Sequence, residues 1–166
     1  MTAQVPDTFY YNGEKYELVE CDGEKFITPQ DYGMYPDMLH TACHRGFIST
    51  YEITNEGLFL KEMTIGEVIP RWKPIQGIMP RDDSWGSYTY EGLNLLTPFT
   101  GKIQLGKNLL IDPNAHMGYP PKIAYQTLLE FSFKQGKVTS VYDLSAINAK
   151  NRKNNRFFLE EFSIEE

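Results

Sequence analysis

Between residues 123 and 144, apolar side chains recur at every second position on both sides of one glycine-containing bend. Ile123, Tyr125, Leu129, Phe131 and Phe133 share one parity, with Thr127 among them. Ala124, Gln126, Glu130, Ser132 and Lys134 share the other, interrupted only by Leu128. A period of two places alternate residues on opposite faces of an extended chain, so this segment reads as a long strand with one buried face. After Gln135-Gly136, the residues Val138, Ser140, Tyr142 and Leu144 alternate with Thr139, Val141 and Asp143. A two-residue turn predicts Phe133 opposite Val138 and Leu129 opposite Tyr142, apolar against apolar.

The same logic recurs upstream. Asn12-Gly13 predicts a hairpin with Phe9 opposite Tyr16, and Asp22-Gly23 predicts a further strand over Glu24–Thr28 with Val19 opposite Phe26. Phe47–Ile53 and Leu58–Ile65 form another hairpin through Thr54-Asn55-Glu56-Gly57, with Phe47, Tyr51 and Ile53 on one face. Strands are also expected at 87–96 and 102–111, separated by Pro98 and Gly101. Ser145 is placed to cap a short helix running to about Asn151. The expected class is therefore all-β or β-dominated. It is an antiparallel hairpin meander forming a barrel-like or two-layer sheet of about eight to ten strands, with a short C-terminal helix. Residues 1–166 read as a single domain, with 150–166 as a peripheral tail. The expected core is Tyr16, Leu18, Phe47, Tyr51, Ile53, Leu105, Tyr125, Leu129, Phe131, Phe133, Val138 and Tyr142.

Composition narrows the classes of function. Aromatic residues make up 14% of the chain, which favours pleated surfaces over helices. The net charge of −6 arises in the first half, where residues 1–83 hold seven Lys/Arg against fourteen Asp/Glu. Such a balance argues against nucleic acid and anionic membrane, which need a cationic face, and suits a basic protein partner. No apolar run reaches the roughly 18 residues of a membrane span. The polar start and the two cysteines, Cys21 and Cys43, read as a cytoplasmic chain with reduced thiols, although spacing alone leaves a Cys21–Cys43 pairing open.

Three irregular segments, 29–45, 70–86 and 112–122, are where a site is expected. His40, Cys43 and His44 would share one side of a helix, as zinc ligands do. With no second ligand pair, a polar loop is the better reading, and no metal or cofactor is expected. His116, between proline bends, is a candidate general base oriented by Asp112 or Asp143, against the plainer reading of a loop-capping histidine. Trp72, Trp85 and Tyr88 sit in a proline-rich stretch suited to partner contacts or to covering the end of a sheet. Together with Arg45 and Tyr119, these residues form the candidate ligand or partner site: His40, His44, Arg45, Trp72, Trp85, Tyr88, His116 and Tyr119. Asp82-Asp83 reads as a turn, and Gly101-Lys102 and Gly106-Lys107 lack the spacing of a phosphate-binding loop.

Three blocks carry a resemblance. Asp31-Tyr32-Gly33-Met34 leads to Leu39-His40-Thr41-Ala42-Cys43-His44-Arg45-Gly46. Tyr90-Glu91-Gly92-Leu93-Asn94-Leu95 precedes Pro98-Phe99-Thr100-Gly101, and His116-Met117-Gly118-Tyr119 precedes the long strand. Together they resemble a family of bacterial single-domain proteins of unknown function. The resemblance implies a bacterial, cytosolic, single-domain protein and assigns no catalytic residue. The leading expectation is a non-enzymatic protein-interaction module of immunity or inhibitor type with an acidic surface. Behind it come a β-barrel holding a small apolar ligand and a histidine-dependent enzyme.

Overall fold

The computed structural model describes residues 2–66, 72–83, 86–113 and 115–162. Its strands are β1 (Thr8–Tyr11), β2 (Glu14–Gly23), β3 (Phe47–Thr54), β4 (Gly57–Gly66), β5 (Arg81–Asp82), β6 (Ser87–Tyr90), β7 (Leu95–Leu96), β8 (Gly101–Leu109), β9 (Tyr125–Lys134) and β10 (Lys137–Asp143). Helices α1 (Ser145–Lys153) and α2 (Arg156–Phe162) follow. All ten strands belong to one sheet in the order β10-β9-β8-β2-β1-β3-β4-β6-β5, with β7 also paired to β4. Every pairing is antiparallel except β1 with β3, which is parallel.

The hairpins obey the pattern of two. Phe9 faces Tyr16, Ile53 faces Leu58 and Phe133 faces Val138. Both residues of the Asn12-Gly13 and Gln135-Gly136 turns have positive φ, the geometry that matches the twist of a tight hairpin. Glutamine tolerates it here because its amide N–H donates to Thr100 Oγ1 at 2.9 Å.

Two β-bulges overturn registers expected from the pattern. One extra residue at Thr139 moves Tyr142 opposite Glu130 and Asp143 opposite Leu129. Tyr142 therefore turns outward and is 60% exposed instead of joining the core. A second shift at Val19 lets β2 run on against β8 as far as the Gly23–Gly101 pair. Asp22-Gly23 is thus not a hairpin turn, and Glu24–Thr28 leaves the sheet as a connector. That connector carries Phe26 inward, where its ring lies 4.5 Å from Phe99 and 5.3 Å from Tyr51.

Aromatic rings fill the concave side. Phe9 stacks on Tyr51 at 4.9 Å, and Phe99 meets Phe133 edge-on at 5.8 Å. Each such ring contributes about 1.5–3 kcal/mol through burial, with a smaller gain from ring geometry. The sheet curls, since Leu58 N–H donates to Gly136 O at 2.7 Å and Gly136 N–H to Phe99 O at 2.8 Å. It does not close: β10 and β5 remain its two ends, so the barrel expectation is corrected to an open, curled sheet. A complete barrel would need a ladder between these ends, and β5 is only two residues long.

Helix α1 docks through polar groups. Asn148 Nδ2 donates to Lys122 O and Tyr125 O, and Arg152 Nη1 donates to Ile123 O and Tyr125 O. Ser145 does not cap it. Its hydroxyl instead accepts from Leu128 N–H at 3.0 Å, while Asp143 Oδ1 accepts from Ser145 N–H at 2.9 Å. The Ser145 hydroxyl, and then the Ser145 N–H, hold the Asp143 carboxyl below its ordinary range. Among the described residues, no helix is long and apolar enough to cross a membrane.

Candidate functional site

Parallel pairing of β1 with β3 brings the starts of two strands together, and the residues just before them meet. Asp7, 5% exposed, accepts a charge-assisted hydrogen bond from Arg45 Nη2 and another from Ser49 N–H at 2.8 Å. The Arg45 guanidinium lies 4.4 Å from the Phe47 ring centroid. Burial works against its charge, but the Asp7 carboxylate outweighs burial, and the guanidinium is held above its ordinary value. Arg45 thus presents a fixed, flat cation rather than a waving side chain. A cleft of about 240 Å³ opens beside it, lined by Pro6, Leu18, Glu20, Cys21 and Tyr119 among others. Burial, and then Asp22, pushes the Cys21 thiol up, which makes it a poor nucleophile.

The N-terminal segment ties this cleft to two loops. Val5 N–H donates to Ala42 O at 2.9 Å, Gln4 N–H to Gly118 O at 2.6 Å, and His44 N–H to Gln4 Oε1 at 3.1 Å. Gln4 Nε2 also donates to Thr41 O at 3.0 Å. Residues 2–5, 39–44 and 118 are therefore tied into one frame. On it or directly beside it Val5, Met38, Met117 and Tyr119 are exposed, although all are large and apolar.

On the other side of the 39–46 loop lies a shallower trough of about 430 Å³, lined by Leu39, His40, Ile48, Thr50, Glu62, Thr64 and Ser87. Cross-strand pairs Thr50–Glu62 and Ile48–Thr64 put these side chains on one face of the sheet. The Glu62 carboxylate makes no ion pair or side-chain hydrogen bond among the described residues.

Residues 39–46 form no helix, so His40 and His44 do not share a helical face, and the segment is a loop, as the sequence favours. Leu39 N–H donates to Cys43 O and Cys43 N–H to His40 O, so residues 39–43 make a tight turn instead. His40 Nδ1 accepts from Ala42 N–H at 3.2 Å, and Cys43 is buried with its thiol donating to Phe47 O at 3.4 Å. Among the described residues no three His, Cys, Asp or Glu side chains are grouped to hold a metal ion, and Cys21 and Cys43 are both free thiols.

His116 is 9% exposed, and neither ring nitrogen has a hydrogen-bond partner among the described residues. It thus lacks the orienting carboxylate that a general base needs. Trp72 is half-buried and lies 6.5 Å from the Tyr88 ring, and neither residue lines either cleft beside the 39–46 loop. Trp85 lies outside the described residues. Of the expected site, the structure brings together Arg45 and Tyr119, with His40 and His44 on the adjoining loop. Asp7, Val5 and Met117 were not expected. The one local signal for Asp7 was an acid set directly before an apolar strand. The chain has no significant match among protein-family models, curated proteins or solved structures.

Proposed function

We propose that this chain is a protein-interaction module of inhibitor or immunity type, and that its contact surface is the joined loop cluster around Arg45 and Tyr119. The observation that carries this reading is the concentration of exposed Val5, Met38, Met117 and Tyr119 on segments locked together by backbone hydrogen bonds. Large apolar side chains held in water on a preorganised frame mark surfaces that a partner covers. Tyr, Met and Arg are the residue types enriched in the centres of such interfaces. Glu20 on one side is paired with Lys122 at 3.4 Å, while Glu62 on the other has no ion-pair partner among the described residues and gives the trough side an acidic group, which suits a basic partner. The interior of the curled sheet is packed with its own aromatic rings, which favours an outer contact surface over an enclosed apolar ligand.

The test compares wild-type bait with a Met117→Ser/Tyr119→Ser variant in cross-linking capture from the native host. A protein held by the wild type and lost by the variant is then purified and titrated. The variant should weaken binding at least about tenfold, and binding should weaken with added salt. If no captured protein depends on these two side chains, the proposal fails.

A further inference from the structure

The floor of the trough beside the 39–46 loop is one face of β3, β4 and β6, because the cross-strand partners Thr50–Glu62, Ile48–Thr64 and Thr64–Thr89 stand side by side. The alternate positions Ser49, Tyr51, Met63, Ile65 and Tyr90 are buried on the other face. Leu39 and His40 form one wall. That wall is clamped to the sheet: Asp37 N–H donates to Gly66 O at 2.8 Å, and a Cβ on Gly66 would stand 2.9 Å from Leu39 Cα.

One carboxylate sets the direction of the hydrogen bonds on this floor. Asp83 Oδ2 accepts from Thr89 Oγ1 at 2.5 Å and from Ser87 Oγ at 3.3 Å. Burial works against the Asp83 charge, but the bonds from Thr89, Arg81 and Ser87 outweigh it and hold the carboxyl below its ordinary range. The single Thr89 hydroxyl proton is thereby spent, so Thr64 is the donor in its 2.9 Å contact with Thr89. Thr64 and Ser87 are left with lone pairs and no hydroxyl proton to offer the trough. The Glu62 carboxylate, without an ion pair or side-chain hydrogen bond among the described residues, adds two more acceptor oxygens. Neighbouring cations are engaged elsewhere: Lys61 donates to Asn94 Oδ1 at 3.0 Å, and Arg81 pairs with Asp83 at 3.2 Å and Glu91 at 2.7 Å. His40 stands at the rim with Nδ1 taken by the Ala42 N–H.

An anion would meet lone pairs on this floor, and a neutral ligand would leave Glu62 uncompensated. A cation rich in N–H donors satisfies it. Glu62 and Thr64 lie about 7 Å apart along β4, a span that a guanidinium covers with its forked nitrogens and a single ammonium does not. Ile48 and Leu39 offer apolar surface to an alkyl stem. We infer that the trough is a socket for the arginine side chain of a basic protein partner, with Glu62 as its bidentate anchor and Thr64 and Ser87 as further acceptors. This rests on the partner-contact reading above, since the segment that walls the trough also carries the exposed Met38 of that surface.

Amide resonances of the labelled protein would be followed during titration with N-acetyl-arginine methylamide, its lysine analogue, and its citrulline analogue, which keeps the shape without the charge. The arginine probe should shift the amides of residues 48, 50, 62, 64 and 87 in a saturable way. The lysine probe should bind at least about threefold more weakly, and citrulline should not saturate. Glu62→Gln, which keeps the length of the side chain, should weaken the arginine probe about tenfold. Thr64→Val, which keeps the branched shape and removes the acceptor, should weaken it about threefold. For a partner captured through Met117 and Tyr119, Glu62→Gln should likewise weaken binding about tenfold. The inference is overturned if the arginine probe leaves these amides unmoved, if lysine or citrulline binds as well, or if Glu62→Gln leaves either binding unchanged. The probe needs no partner, and the capture depends on Met117 and Tyr119. A socket that ignores the probe in a chain that still holds a partner therefore leaves the contact surface standing. A socket that takes the probe in a chain that captures nothing strikes the contact surface, and the partner arginine with it.

Discussion

The ring of Tyr125 lies directly over Gly106, so that a Cβ placed on the glycine would stand 2.5 Å from Tyr125 Cγ. Gly106 sits on β8 between Glu17 of β2 and Leu128 of β9. Tyr125 reaches across this gap, and its hydroxyl donates to Glu17 Oε2 at 2.5 Å. Two strands that do not touch are thereby joined over the one residue that leaves room. Gly106→Ala should lower stability by about 1–3 kcal/mol, because the overlap falls on the ring atom nearest the backbone and cannot swing away. The gain of about 0.5–1 kcal/mol from removing glycine's freedom is smaller. Urea unfolding would measure both effects. A Gly106→Ala protein as stable as wild type would show that the ring is not held there.

Hairpins were legible because their two causes are local. Alternation sets the face and a Gly turn sets the register, so Phe9–Tyr16 and Phe133–Val138 follow from neighbouring residues. The bulge at Thr139 was not legible. One inserted residue changes no side-chain chemistry, yet it turns Tyr142 out to water. The parallel β1–β3 pairing was likewise hidden, since no turn connects the two strands. Arg45 and Tyr119 were recognisable as loop residues. Their convergence with Asp7, 38 positions before Arg45, depends wholly on that non-local pairing.

Breaking the Asp7–Arg45 pair should be costly in an asymmetric way. Arg45→Met leaves a carboxylate that is 5% exposed, with the Ser49 backbone N–H as its remaining donor among the described residues. The expected loss is about 3 kcal/mol, at the lower end for buried pairs because the arginine is partly solvated. Asp7→Asn removes the charge and keeps the shape, and Asp7→Asn/Arg45→Met should lose less than the two single changes combined. Chemical denaturation of all four proteins checks this. Additive losses would mean that the two groups are not coupled.

His116 makes the reverse prediction. Its buried ring nitrogens have no partner among the described residues, so they are desolvated without return. His116→Leu, of similar volume, should hold stability or raise it by up to about 1.5 kcal/mol. His116→Ala should lose about 2 kcal/mol through the cavity it leaves. If leucine is instead as damaging as alanine, the imidazole has a polar role in the fold.

Stability should also fall on the alkaline side, and Tyr51 is the residue through which to see it. Its ring is fully buried, stacked on Phe9, and its hydroxyl donates to Ile27 O at 3.5 Å with the Ser49 side chain also near. Burial, and then the Asp7 charge, pushes its pKa well up. Tyr125 is shifted the same way, by burial and then by its bond to Glu17. In the unfolded chain a tyrosine loses its proton near pH 10, while the folded protein retains these two. The native state then binds more protons than the unfolded state, so stability declines as pH rises above about 10 and is unaffected at neutral pH. Each retained proton steepens the decline by about 1.4 kcal/mol per pH unit. Tyr51→Phe deletes one such proton and loses little at neutral pH, because the Ile27 contact is at the limit of a hydrogen bond. Its stability should match wild type at pH 7 and exceed it by a growing margin above pH 10, read from urea midpoints across that range. Parallel alkaline limbs for the two proteins would mean that Tyr51 ionises in the folded state as readily as in the unfolded one, and that its burial carries no proton-linked stability.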